Sequence, residues 1–265
     1  MTDITKVPSF NKIIEESVRK NWDLDSMSDY GVCTFHKDVA RIIEKMHILF
    51  EHAGIQKGDR IALCGRNLSR WGAAFFSVLT YGAVAVPILH EFHPSQVHDI
   101  VNHSGARLLF VGDKVWPKLD AAAMPALEGI ISLADFSLLT CTNDSLKYAR
   151  ENLNRLFGEK YPLNFRAKHI CYHEDKPNDL ALINYTSGTT SNSKGVMIPY
   201  RALWSNCDFA IQVMGKEIKP GDKVLSMLPM AHMYGMMFEF VFEFTHGVHI
   251  NFLTKVASPT ILMRA

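Results

Sequence analysis

Between Arg60 and Leu133 short apolar runs alternate with amphipathic stretches, and this alternation restricts the chain more than any other feature. Arg60 to Cys64, Ala83 to Leu89, Arg107 to Val111 and Gly129 to Leu133 read as buried strands. Helical patterns fall between them, at Leu68 to Tyr81, from Pro94-Ser95 to about His103, and near Lys114 to Ala123. Strand and helix in regular alternation imply βαβ units. The expected fold class is therefore α/β, with parallel-rich sheets carrying helices on both faces. The uncharged run Trp71 to Leu89 is nearly long enough to span a membrane. Gly72, Gly82, Pro87 and the change of pattern at Gly82 instead give a buried helix, a turn and a buried strand.

The flanking segments are less regular. Phe10, Ile13, Ile14, Val18 and Trp22 share one helical face. A second helix follows Thr34, read as its N-cap, with the stripe Val39, Ile42, Ile43, Met46, Leu49, Phe50 and Ala53 ending at Gly54. Leu146 to Phe157 reads as one helix. Gly158 to Asn178 is polar and irregular, with Pro162 and Pro177, and marks the expected boundary between a first α/β subdomain (1–177) and the start of a second (178–265). His169, Cys171 and His173 alternate within it, a spacing that matches no strong metal template. Further on, Ala202 to Met214 is expected to be helical, with strands at Lys223 to Met227 and Val248 to Leu253.

Composition narrows the class of partner. With a net charge of +1 the 265-residue chain has no global attraction to nucleic acid. Mixed charges on the first helix argue for packing, and peripheral membrane contact stays open. Five scattered cysteines suit free thiols in a reducing compartment, hence a cytoplasmic protein.

The chemistry concentrates in one loop. After the apolar run Leu180 to Ile183, residues Thr186 to Gly195 comprise three threonines, three serines, two glycines, an asparagine and Lys194. Gly188 and Gly195 permit close backbone approach, and successive N–H groups in such a turn form an anion-binding concavity. The hydroxyls of Thr186, Ser187, Thr189 and Thr190 can meet phosphate oxygens or Mg²⁺, and Lys194 adds a mobile positive charge. Because Gly195 follows Lys194, the loop is not a Walker A motif. A flexible surface loop between two strands is the alternative that residue types alone leave open.

The order Tyr185-Thr-Ser-Gly-Thr-Thr-x-x-x-Lys-Gly-Val196 closely resembles the signature loop of the acyl-adenylate-forming enzymes, with Ser191 where that family usually has Gly and Ser193 where it usually has Pro. Gly54 to Leu63, Asn67 through Trp71, Gly82-Ala83 and Pro87 fall where the family has similar residues, so the likeness runs from about residue 31 to 255. Leu228-Pro-Met-Ala-His-Met-Tyr-Gly235 resembles the family's second motif, which lines the acyl or aryl pocket. The resemblance implies the acyl-CoA synthetase-like N-terminal domain, truncated, of a fatty-acid–CoA ligase, most like the bacterial long-chain enzymes. It implies ATP, Mg²⁺, CoA and a fatty acid as ligands. It assigns Thr186 and Lys194 to catalysis, Thr186 to Mg²⁺, Thr186, Ser187, Gly188, Thr189, Thr190 and Lys194 to nucleotide binding, and His232 and Met236 to the substrate pocket. The family's later Tyr-Gly-x-Thr-Glu segment, ribose-binding Asp, hinge and C-terminal Lys have no match here, so the chain alone is expected to be inactive. A nonenzymatic nucleotide- or partner-binding module of the same ancestry is the alternative.

Overall fold

The computed structural model describes residues 7–186 and 194–253. Its elements run α1 (Phe10–Lys20), β1 (Asp25–Asp29), β2 (Val32–Phe35), α2 (His36–His52), β3 (Arg60–Cys64), α3 (Ser69–Tyr81), β4 (Val84–Ile88), α4 (Pro94–Ser104), β5 (Leu108–Val111), β6 (Gly129–Ser132), β7 (Leu138–Cys141), α5 (Asp144–Glu151) and α6 (Leu153–Lys160). Then come β8 (Leu180–Thr186), β9 (Lys194–Pro199), α7 (Tyr200–Met214), β10 (Lys223–Ser226), α8 (Met233–Met236), a π turn (Met237–Val241), α9 (Phe242–Thr245) and β11 (His249–Phe252).

Two sheets form. The larger has the order β7-β6-β5-β3-β4-β8-β9 and the smaller β10-β11-β1-β2. Parallel pairing builds the centre of the larger sheet from β6 to β8, and its outer strands β7 and β9 are antiparallel. In the smaller sheet β11 pairs in parallel with both β1 and β10. Each sheet therefore contains strands from both sides of residue 178, and the boundary expected at 177/178 does not coincide with a division between sheets.

Alternation along the central strands explains how two faces are covered. Ile61 and Leu63 of β3 enter the core beneath α2 and α3, whereas Ala62 and Cys64 enter a second core beneath α4. α3 is apolar nearly all round because both sheets press on it. Gly72 lies on its inner face, where a Cβ would stand 2.9 Å from both Met27 Sδ of the smaller sheet and Phe240 Cε2. No helix among the described residues is long and apolar enough to cross a membrane, and Trp71 to Leu89 is the end-to-end pair α3 and β4.

Several local expectations are corrected. Thr34 is a strand residue opposite Met27, and α2 instead begins after Phe35, whose N–H donates to Asp38 Oδ2 (3.2 Å). Lys114 to Ala123 forms two short 3₁₀ turns, Trp116–Lys118 and Ala121–Ala123, because Pro117 cannot donate and the Asp120 side chain accepts from Ala122 N–H (2.9 Å). Leu146 to Phe157 is split at Asn152 into α5 and α6.

Candidate active site

The loop's two flanking strands are set by their own side chains. β8 continues the parallel sheet beside β4 and runs antiparallel to β9, with Thr186 directly opposite Lys194 at the end of the ladder. Residues so opposed have Cα atoms ~5 Å apart. Both residues are exposed, and as directly opposed residues they share one face of the ladder. Tyr185, one residue earlier, is buried, and its hydroxyl lies 2.7 Å from His103 Nδ1 of α4. Its ring crosses onto β9 at Gly195, where a Cβ would stand 3.0 Å from Tyr185 Cζ and 2.9 Å from Ile183 Cγ2. Glycine after Lys194 is thus a packing requirement: it lets the ring anchor the last rung. Burial pushes the Tyr185 hydroxyl pKa up, so it stays protonated in this anchor.

Ser187, Gly188, Thr189 and Thr190 lie outside the described residues, as do Ser191 to Ser193 of the same loop. Thr186 and Lys194 are brought together. His232 is exposed and caps α8, its side chain accepting from Tyr234 N–H (3.3 Å). Met236 is wholly buried in the main core. Gly235 faces Pro229, whose carbonyl oxygen would be 2.6 Å from a Cβ there, so only glycine lets α8 fold back on the segment before it.

Residue patterns missed the link between the two motifs. Asn184 Nδ2 donates to Ala231 O (3.0 Å), tying β8 two residues before Thr186 to the residue before His232. An isolated Asn inside an apolar strand was the available signal, since such a side chain needs a partner. His169 and His173 engage separate groups: Arg166 N–H donates to His169 Nδ1 (2.9 Å), and Lys57 Nζ lies 2.6 Å from His173 Nδ1. Among the described residues no three His, Cys, Asp or Glu side chains gather around a common metal position. The free cysteines include buried Cys64 and Cys207, whose thiols burial pushes up to about 12, which makes them inert packing groups.

The fold thus brings the Thr186–Lys194 rung, at the end of the β8–β9 ladder, together with the Leu-Pro…His segment through Asn184. The chain belongs to the AMP-binding enzyme family, whose model matches residues 18–265. It is 28% identical over 239 residues to a long-chain-fatty-acid–CoA ligase of Escherichia coli O6:H1, covering 84% of this chain and 42% of that protein. It is 24% identical over 273 residues to the ligase of the same name from Bacillus subtilis, covering 93% and 46%. The chain thus spans less than half the length of these curated relatives. Its fold is that of the inhibitor-bound N-terminal domain of FACL13 from Mycobacterium tuberculosis, with a TM-score of 0.77, 22% identity, and coverage of 97% of this chain and 60% of that one. It also matches a red-emitting luciferase from Phrixothrix hirtus, with a TM-score of 0.81, 17% identity, and coverage of 99% and 49%.

Proposed function

We propose that this chain supplies the phosphate loop and part of the acyl pocket of a cytoplasmic AMP-forming long-chain fatty-acid–CoA ligase. The observation that carries the reading is the Thr186–Lys194 rung at the mouth of the loop, tied through Asn184 to the His232 segment. In the first step the fatty-acid carboxylate oxygen attacks the α-phosphorus of ATP and pyrophosphate leaves. In the second, the CoA thiol attacks the acyl carbon, loses its proton, and AMP leaves. No protein nucleophile is required. Lys194 is assigned to offset charge on the departing pyrophosphate, and the sequence of the loop assigns its N–H groups to the β- and γ-phosphates. The exposed Thr186 hydroxyl fits a Mg²⁺ contact, being a neutral oxygen donor at the end of β8. Mg²⁺ when bound would offset triphosphate charge. His232 and Met236 are assigned to the acyl-pocket side, His232 from the exposed start of α8 and Met236 from the core beneath it.

The test is pyrophosphate release with ATP, Mg²⁺ and a fatty-acid panel, run on this 265-residue chain and on a longer protein that contains it. The longer protein is expected to turn over and the short chain to show no appreciable acyl-CoA synthesis. In the longer protein Lys194→Ala is expected to cost on the order of 10²–10³ in adenylation rate. Thr186→Ala should raise the Mg²⁺ concentration needed for half-maximal rate. A folded but silent longer protein would replace this reading with the nonenzymatic binding module. Robust turnover by the short chain would overturn the expected incompleteness.

A further inference from the structure

The segment Met227–His232 has no strand or helix of its own, yet three side chains from three separate elements hold it. Asn67, in the loop between β3 and α3, donates from Nδ2 to Leu228 O (2.7 Å) and accepts at Oδ1 from Met230 N–H (2.8 Å). One amide thus serves a carbonyl and an N–H two residues apart, through its separate donor nitrogen and acceptor oxygen. Glu239 Oε2 accepts from both Met227 N–H (2.7 Å) and Leu228 N–H (2.8 Å), a charge-assisted pair. Asn184 holds the far end. Glu239 rides on the π turn Met237–Val241, a wider turn of the kind that recurs at functional sites.

We propose that Asn67 and Glu239 are positioning residues that fix the height of the Met227–His232 segment over β8, and so set the length of acyl chain that the site admits. This assignment rests on the functional reading above. The segment ends in His232 and contains Met230, which is buried, so a shift of its backbone moves the wall against which a chain would lie. Asn67 and Glu239 are themselves only partly buried. Truncating them opens no core cavity, and the effect falls on placement rather than on folding.

Two measurements test this. In a longer, active protein, Asn67→Ala and Glu239→Ala are expected to raise KM for a long-chain acid about tenfold, with a smaller rise for a medium-chain acid. KM for ATP should stay within about twofold, and Glu239→Gln, which keeps an acceptor oxygen, should stay near the parent. Equal losses for ATP and acid, or losses independent of chain length, overturn the assignment. The second measurement uses this chain alone. Amide hydrogen exchange at Leu228 should accelerate about tenfold or more in Glu239→Ala, and that at Met230 in Asn67→Ala, while Ile250 in β11 is unchanged. Unaltered exchange overturns the clamp whatever the activity. A longer protein inert toward fatty acids overturns the functional reading and the chain-length role together, whereas accelerated exchange would still uphold the clamp.

Discussion

The two sheets are built in opposite ways. The centre of the larger one, β3 to β6, is assembled from consecutive segments, each strand linked to the next through a turn or helix lying against it. Every residue of β4, β5 and β6 is buried. The smaller sheet joins residues 25–35 to residues 223–252, and its first strand is polar: Asp25 to Asp29 contains two serines and two aspartates. Ser28 Oγ lies 2.7 Å from His249 Nε2 across the β1–β11 pair. Local apolar pattern makes the first sheet, whereas long-range closure makes the second. What binds them is α3 together with the aromatic cluster around Phe240, which meets Trp71, Phe75, Phe76 and Phe252.

If that cluster is the common core, cutting it should lower the stability of both sheets at once. Phe240→Ala is expected to cost about 3–5 kcal/mol in urea unfolding. Loss of exchange protection in β11 with full protection kept in β3 would instead show two independently stable sheets.

The next effect separates the two regions by pH. Glu243, buried in α9 beside the smaller sheet, has its pKa raised to about 7 by burial and then by Asp222 and Glu239. Its folded value lies above the unfolded one, so its contribution is present below about pH 4.5 and is lost as pH rises through 7. His47, wholly desolvated between α2 and α3, has its pKa lowered to about 3 by burial. There the unfolded chain takes up the proton first, and stability is lost as pH falls from about 6.5 toward 3. Glu243→Gln should therefore gain on the order of 2–3 kcal/mol near pH 8, less than the full shift because water screens part of the carboxyl group, and almost nothing at pH 4. Urea midpoints measured across that range check the sign.

A smaller effect is expected at the contact between α3 and the smaller sheet. Gly72→Ala should cost about 1–3 kcal/mol by forcing Met27 and Phe240 apart, read as a fall in thermal midpoint. The smallest is at the surface: Lys37→Ala breaks an ion pair with Asp23 that is open to water, and should change stability by less than about 0.5 kcal/mol.

The same contrast decides what could be read from residues alone. The limits of β3, α3, β4 and α4 are legible to within a residue or two, because apolar runs end there at Gly82, Pro94 and Gly105. β1 is not legible, since its polar residues become a strand only through β11 and β2. β7 is a short, half-exposed strand paired only to β6. At the site, the Thr186–Lys194 pairing follows from a loop whose ends must meet. Asn67 and Asn184 bond to backbone groups more than forty residues away, and no local pattern encodes such a partner.

β1 lies in the middle of its sheet, with β2 on one side and β11 on the other. On the ribosome those neighbours arrive at very different times. β2 emerges almost with β1, whereas translation at about 5–20 residues per second needs on the order of ten to forty seconds to pass from Met27 to its partner Ile250. Through that interval the nascent hairpin carries an unpaired edge, which could recruit a strand from another chain. Its serines and aspartates keep the waiting edge soluble until the last described strand of the chain fills it.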